Sequence, residues 1–199
     1  MPARDSATLG FYAEEAETYA GRGREADLAR IERFASLLPA GGQVLELGCG
    51  GGQDSAALLG RGFEVTPTDG SPELAAQAAL RLGRPVSVLL FEDLDASATY
   101  DGVWAKACLL HVPRTALPAI IAKIHAALRP GGAFYASFKA GEAEGRDRFG
   151  RYYNYPSAEW LREAYGAGAW HSLDIAAESG GGYDGEPTRW LHAFAIKNA

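Results

Sequence analysis

Three glycines at alternating positions, Gly48, Gly50 and Gly52, have the spacing in this sequence that most directly suggests chemistry. They follow a short apolar segment and precede a segment that can form a helix. Glycine allows positive φ and a close approach of the backbone to a ligand, and the free N–H groups of the following helix face that ligand. Asp69 ends the next predicted strand, where a carboxylate can accept both hydroxyls of an adenosine ribose. The pair predicts an adenosine-containing cofactor.

The spacing of these glycines also discriminates between classes of cofactor. The dinucleotide fingerprint G-x-G-x-x-G, begun at Gly48, requires a glycine at position 53, and the sequence has Gln53 there. The pattern is G-x-G-x-G instead, which disfavours a dinucleotide but leaves an NAD-dependent oxidoreductase as an alternative. A second alternative is that the glycine pattern belongs to a plain strand-to-helix turn that binds no ligand.

His111 is the candidate general base, because it follows the fourth predicted strand on the side of the sheet where a substrate would bind. The alternative is that it anchors the turn before the next helix. Cys49 and Cys108 are expected to be packing residues rather than nucleophiles. The histidines and cysteines show no ligand spacing, so no metal site is expected.

The elements that must position these residues alternate in type. Apolar spacing predicts helices at residues 28–38, 54–61, 72–82, 115–128 and 157–165. Strands are predicted at residues 44–47, 63–68, 86–91, 100–105, 133–138, 171–178 and 189–197. The last two flank a glycine-rich turn that includes Asp184, which indicates a terminal hairpin. The fold class is therefore α/β: a Rossmann-like three-layer sandwich whose seven-stranded, mostly parallel sheet has an antiparallel last strand.

Composition bounds the class of protein. The chain has 199 residues, 47% of them hydrophobic, which fits a single domain over residues 1–199. The net charge of −6 argues against a nucleic-acid partner, because such proteins need basic surface. No apolar run is long enough for a membrane span, and the N-terminus lacks an apolar signal region, so no membrane association is expected. Two cysteines are too few for a disulfide framework, so a cytoplasmic location is expected.

Five segments, in order, resemble the motifs of class I S-adenosylmethionine (SAM)-dependent methyltransferases. They are residues 44–52 (VLELGCGGG), 68–72 (TDGSP), 91–94 (FEDL), 100–104 (YDGVW) and 128–132 (LRPGG). Residues 11–19 are similar to the N-terminal segment that covers the cofactor in many members, so residues 1–40 are expected to form a helical cover. The narrower resemblance is to the small bacterial group that includes tellurite- and thiopurine-type methyltransferases.

The resemblance implies SAM as cofactor and a role for each matching position. Gly48, Cys49 and Gly50 would hold the methionine portion, and Glu46 would support its ammonium group. Asp69 would hold the ribose. The remaining cofactor contacts implied are Gly70, Ser71, Asp93, Leu94, Ala105, Tyr12 and Tyr19. Lys106 would lie near the methyl group, where a cation is unfavourable beside a sulfonium, so it would point away, meet an anionic substrate or meet the methionine carboxylate.

Residues 139–156, rich in arginine and tyrosine, are predicted to form a lid over the acceptor, with Arg151 and Tyr153 as contacts. A solvated loop with aromatic residues packed on the sheet is the alternative. The sequence after the fourth strand, residues 105–108, lacks the Asn/Asp-Pro-Pro-Tyr/Phe motif of base methylation. Together with the charge, this favours methyl transfer to a small molecule by in-line displacement. A non-catalytic SAM-binding protein is an alternative. The chain is expected to be a monomer or homodimer.

Overall fold

The computed structural model describes residues 3–166, 168–183 and 185–199. The helices are α1 (Ser6–Glu14), α2 (Ala16–Gly21), α3 (Leu28–Ala35), α4 (Gln53–Leu59), α5 (Pro72–Leu82), α6 (Leu117–Ala127) and α7 (Ala158–Tyr165). The strands are β1 (Gln43–Leu47), β2 (Glu64–Asp69), β3 (Ser87–Val88), β4 (Tyr100–Ala105), β5 (Leu128–Lys139), β6 (Gly145–Arg146), β7 (Tyr152–Tyr153), β8 (Trp170–Gly181) and β9 (Pro187–Lys197). Two 3₁₀ helices cover Phe91–Asp93 and Leu109–His111.

Seven strands form one sheet in the order β3-β2-β1-β4-β5-β9-β8. The first five positions pair in parallel, and β9 pairs antiparallel with both β5 and β8. The last strand in the chain, β9, is therefore the antiparallel strand, and it lies between β5 and β8. This confirms the predicted fold class. Within the predicted hairpin turn, Asp184 lies outside the described residues.

Local sequence rules explain where α5 begins and ends. The Ser71 hydroxyl caps it by accepting from the Leu74 N–H at 3.3 Å, and Pro72 occupies the first turn. Gly83 then adopts φ +61° and ends the helix. This cap fixes the conformation of the turn that follows Asp69, so it also fixes the position of the Asp69 carboxylate at the end of β2.

Two apolar clusters cover the two faces of the sheet, as three layers require. One holds the stripe of α6 with Leu117, Ile121 and Ile124. The other holds Ile31 and Phe34 of α3 together with sheet residues such as Trp104. The α3 helix is thus part of the core layer, although its Arg30 reaches the cavity described below, which α1, α2 and the α2–α3 connection also line.

Some boundaries differ from the sequence prediction. The third strand is two residues long, because the chain turns into the 3₁₀ helix Phe91–Asp93. The fifth strand starts at Leu128 and includes the glycine turn before it. Residues 139–156 contain the short β6–β7 hairpin rather than open loop. Among the described residues, no helix has the length and apolar character needed to cross a membrane.

Candidate active site

A cavity of about 660 Å³ opens at the carboxyl ends of β1, β2, β4 and β5. This volume is in the range of roughly 300–1,000 Å³ that is typical of small-molecule and cofactor sites. The wall includes ten of the residues proposed from the sequence: Tyr12, Tyr19, Gly48, Gly50, Asp69, Gly70, Lys106, His111, Arg151 and Tyr153. The fold therefore brings six of the twelve expected cofactor residues and all of the expected acceptor residues to one space.

The glycine turn requires glycine for conformational and steric reasons. Gly48 and Gly50 have φ values of +65° and +57°, in the left-handed region. A Cβ at Gly48 would lie 2.4 Å from the Cβ of Cys108, which no rotamer change can relieve. The bare backbone of this turn therefore forms the cavity floor.

Asp69 is held by backbone groups of the two adjoining turns. Its Oδ2 accepts from the Gly50 N–H and its Oδ1 from the Ser71 N–H, both at 2.9 Å. Burial raises the pKa of Asp69 to about 6, although these N–H groups act in the opposite direction. The carboxylate is ionised in most molecules at neutral pH, and it retains accepting capacity for ribose hydroxyls.

Glu46 lies behind the glycine turn, in a buried group of acids and cations rather than on the cavity wall. The Ser55 hydroxyl donates to it. Burial, together with the charge of Asp54, raises the pKa of Glu46 to about 8. Arg24, which lines the cavity, forms an ion pair with Asp54, and the Nη2–Oδ2 distance is 2.7 Å. Any support that Glu46 gives to a cofactor ammonium group must therefore be indirect, and that role stays a prediction.

Lys106 lies on the wall with its Nζ 3.7 Å from Asp54 Oδ2 and 3.9 Å from Asp27 Oδ2. Burial lowers the pKa of its ammonium group. Its charge is balanced by carboxylates of the protein, so the structure gives this cation a partner that the sequence did not suggest.

The other implied cofactor residues lie off the wall. Cys49, Ser71, Leu94 and Ala105 are buried in the core or in turns, and Asp93 is exposed. Beside them, Leu89, Leu90, Phe91 and Glu92 face the cavity. The 3₁₀ turn at 91–93 directs Asp93 and Leu94 away from the cavity, so their predicted cofactor contacts stay predictions. Cys49 and Cys108 are free and buried, and burial raises the pKa of both thiols.

His111 is held between two tyrosines from distant parts of the chain. Its Nδ1 lies 2.6 Å from the carbonyl oxygen of Tyr152, and its Nε2 lies 2.9 Å from the hydroxyl of Tyr12. Burial lowers the pKa of His111 to about 3, so the ring is neutral at physiological pH. Tyr12 comes from α1, so the helical cover contacts the candidate base directly.

Arg151 is almost fully buried, with 1% of its side chain exposed. Its Nε and Nη2 donate to Asp147 Oδ2 at 3.0 and 2.7 Å, and its Nη1 donates to the Tyr12 hydroxyl at 3.2 Å. The guanidinium also lies against aromatic rings, those of Phe11, Phe149, Tyr153 and Tyr183. Its observed partners are thus protein groups, and a direct acceptor contact by Arg151 or Tyr153 stays a prediction.

Several wall residues were missed by the sequence reasoning. Ser137 and Lys139 of β5 pair with His192 and Trp190 of β9, and all four line the cavity. The position of Lys139 at the carboxyl end of a parallel strand is a signal that could have identified it. Nothing local in the sequence indicates that Tyr183, from the β8–β9 connection, stacks on Tyr19. Among the described residues, no group of three or more His, Cys, Asp or Glu side chains could hold a metal ion.

The sequence of this chain is similar to those of known methyltransferases. Residues 44–132 match the family model described as methyltransferase domain. Ubiquinone biosynthesis O-methyltransferase from Xanthomonas axonopodis pv. citri is 39% identical over 110 residues, which are 52% of this chain and 45% of that protein. The Xylella fastidiosa protein of that name is 36% identical over 116 residues, 54% of this chain and 46% of that protein. The chain spans about half the length of these curated relatives.

Solved structures resemble the whole chain. The 1,6-didemethyltoxoflavin-N1-methyltransferase of Burkholderia thailandensis, solved with 1,6-didemethyltoxoflavin and S-adenosylhomocysteine, has a TM-score of 0.70 and 26% identity, and the match covers 97% of this chain and 89% of that chain. A SAM-dependent methyltransferase of Methanosarcina mazei has a TM-score of 0.73 at 18% identity, covering 82% and 96%. TehB of Haemophilus influenzae has a TM-score of 0.71 at 17% identity, covering 94% and 67%. The last two likenesses concern the fold alone.

Proposed function

Because this chain belongs to the class I SAM-dependent methyltransferases, we propose that it transfers the methyl group of SAM to a small molecule and releases S-adenosylhomocysteine (SAH). The observation that carries the proposal is the shared cavity: the glycine turn and Asp69 line one side, and Tyr12, His111 and Lys139 line the other. A donor and an acceptor bound there would be held next to each other.

The residues of the chain fit a bound SAM. Gly48 and Gly50 expose backbone on the cavity floor, Asp69 offers carboxylate oxygens to a ribose, and Leu89 to Glu92 form an apolar and acidic wall for the adenine. Bound SAM supplies a methyl group on a sulfonium, which is already a good leaving group. The protein's task is then alignment and the exclusion of water, and positioning alone can lower a barrier by roughly 7–11 kcal/mol.

The acceptor side favours a small, flat molecule. Aromatic rings of Tyr12, Tyr153, Tyr183 and Trp190 face this part of the cavity, and aromatic walls bind planar rings well. The named relatives also act on small molecules, since one group consists of ubiquinone biosynthesis O-methyltransferases and the other relative was solved with bound 1,6-didemethyltoxoflavin. A nucleic-acid acceptor fits less well, because the net charge is −6.

The narrower resemblance to tellurite- and thiopurine-type enzymes stays a prediction. So do a cytoplasmic location, the lid role of residues 139–156, and a monomeric or homodimeric state, which sedimentation of the purified chain would measure. We found no observation that favours an NAD-dependent oxidoreductase or a non-catalytic binder.

Thermal unfolding with a cofactor panel tests the proposal. A ligand at 100 times its dissociation constant stabilises a protein by about 2.7 kcal/mol. SAM and SAH should raise the unfolding temperature, and NAD should not. SAH release should then be measured with catechol, a ring N–H compound, an aliphatic amine and a thiophenol as acceptors. Stabilisation by NAD alone, or SAH binding without turnover of any acceptor class, would contradict the proposal.

A further inference from the structure

A chain of hydrogen bonds with fixed polarity leads from the β6–β7 hairpin to the cavity. It starts at the Tyr152 carbonyl oxygen, which can only accept and lies 2.6 Å from His111 Nδ1. Nδ1 must therefore carry the ring hydrogen, which leaves Nε2 of the neutral imidazole as an acceptor. The Tyr12 hydroxyl, 2.9 Å from Nε2, consequently donates its proton to His111.

The polarity of the Tyr12 hydroxyl follows from this. Its only hydrogen is committed to His111, so its oxygen can act toward every other group only as an acceptor. Arg151 Nη1 donates to that oxygen at 3.2 Å, and a hydroxyl oxygen can accept a second donor. Tyr12 lines the cavity beside His111 and Arg151. A ligand atom that binds Tyr12 must therefore bring its own hydrogen.

We propose, on the premise of the proposed function, that Tyr12 is the catalytic residue that receives the proton of a hydroxyl acceptor. His111 and Arg151 are positioning residues, which hold the Tyr12 oxygen in its accepting orientation. This assigns Tyr12 to the acceptor, although the sequence resemblance implied a contact with the cofactor.

The proton transfer balances in atoms and charge. The acceptor oxygen uses a lone pair to form the bond to the methyl carbon, and the carbon–sulfur bond breaks with its electron pair left on sulfur. The acceptor O–H bond breaks, its proton passes to the Tyr12 oxygen, and the former Tyr12 proton passes to His111 Nε2. The positive charge lost by the sulfonium reappears on the imidazolium, so the net charge of the buried site does not change. His111 returns this proton to water when the products leave.

The weak basicity of His111 favours an oxygen nucleophile over an aliphatic amine. Burial lowers the pKa of His111 to about 3, so it is a poor base toward a resting acceptor. A hydroxyl oxygen that is bonding to a methyl group becomes a strong acid, and a weak base can then remove its proton. An aliphatic ammonium, with a pKa of about 10 like that of lysine, would keep its proton.

The main test compares two tyrosine-to-phenylalanine variants. Tyr12→Phe removes the proposed proton acceptor and keeps the ring that packs edge-on against Tyr19. Tyr165→Phe is the matched control, because its buried hydroxyl has no hydrogen-bond partner among the described residues and lies in α7, off the cavity wall. Turnover is measured with catechol, which must lose a proton, and with thiophenolate, which carries none.

Proton removal by a positioned group contributes about 10²–10⁴-fold, so Tyr12→Phe should reduce kcat with catechol by about 100-fold or more. Turnover of thiophenolate should change by less than about threefold, since general-base catalysis contributes nothing to an ionised nucleophile. His111→Gln should show the same selectivity, and the double variant should be no slower than the slower single variant. Tyr165→Phe should match the wild type with both acceptors.

A binding measurement gives a readout that does not depend on turnover. Catechol should bind the protein–SAH complex more tightly than 1,2-dimethoxybenzene, because only catechol can donate to Tyr12. Tyr12→Phe should abolish this preference and leave the affinity for SAH unchanged.

Distinct results separate this proposal from the proposed function. Wild-type turnover of amines or thiols but of no hydroxyl compound would overturn the role of Tyr12, and so would equal losses with catechol and thiophenolate in Tyr12→Phe. Absence of SAM and SAH binding would instead overturn the methyltransferase function itself.

Discussion

Replacing Asp147 by asparagine should destabilise the protein far more than replacing an acid in an exposed ion pair. The Asp147–Arg151 pair is buried, with 6% and 1% of the two side chains exposed, and its Nη2–Oδ2 distance is 2.7 Å. The Asp174–Arg33 pair has the same distance between the same atom types, but 59% and 49% of its side chains are exposed. The two pairs therefore differ in burial and in hydrogen bonding, because Asp147 also accepts from Arg151 Nε and from the backbone N–H groups of Phe149 and Arg151.

The expected magnitude follows from what remains around Arg151. Removing one partner of a buried pair costs about 3–5 kcal/mol, because the other charge is left without compensation. Four aromatic rings have their centroids between 4.7 and 5.5 Å from the guanidinium carbon. Each such contact contributes about 0.5–1 kcal/mol, so the loss should lie near 3 kcal/mol rather than 5. Asp174→Asn should cost about 0.2–1 kcal/mol.

Urea unfolding of the single variants and of Asp147→Asn/Arg151→Met measures these values as free energies of unfolding. Arg151→Met removes the charge that Asp147→Asn leaves unpaired, so the double variant should recover about 2 kcal/mol relative to additivity. Trypsin cleavage in the β6–β7 hairpin should accelerate in Asp147→Asn if the hairpin opens locally before the whole domain unfolds. A loss in Asp147→Asn no larger than that in Asp174→Asn, with additive effects in the double variant, would refute the reasoning from burial.

Three further predictions concern single groups. Gly48→Ala should abolish the thermal stabilisation by SAH, because its Cβ would overlap Cys108 at a φ of +65°; wild-type stabilisation would contradict this. His111 has its pKa lowered from 6.5 to about 3, so its contribution to stability is complete above pH 6.5 and is lost as the pH falls toward 3. In urea unfolding, the wild type should therefore lose about 3 kcal/mol more free energy of unfolding than His111→Gln does when the pH is lowered from 7 to 4. Equal losses in the two proteins would contradict this. Tyr165→Phe should leave the free energy of unfolding unchanged or raise it by up to about 1 kcal/mol, since no hydrogen bond is lost, and a clear loss of stability would reveal a partner for that hydroxyl.

The parts of the fold that could be predicted from the sequence are those governed by short-range rules. The glycine turn at 48–52, the Ser71 cap and the α6 stripe depend on neighbours within a few residues, and each occurs as expected. Asp69 reaches the cavity because parallel strands end at one edge of the sheet, a rule that is general to the fold class.

The contacts of His111 and Arg151 with distant residues could not be predicted in this way. Tyr12 and His111 are 99 residues apart, and their hydrogen bond depends on how α1 is oriented over the sheet. Arg151 was predicted to contact the acceptor from a lid, and nothing in the sequence indicated that the hairpin folds its guanidinium inward onto Asp147. The sequence identifies such residues as chemically capable, and only the tertiary structure determines which partners they meet.

The N-terminal cover links the two halves of the cavity. Arg4 binds Glu92 on the cavity wall beside Leu89 and Phe91, and Asp5 binds Arg146 of the β6–β7 hairpin. The α1 helix between these anchors and α2 carries Tyr12, and its hydroxyl meets His111 only when the cover lies over the sheet. The residue proposed to receive the acceptor's proton is therefore carried by the same segment that covers the cavity, so proton removal and the exclusion of water depend on one element.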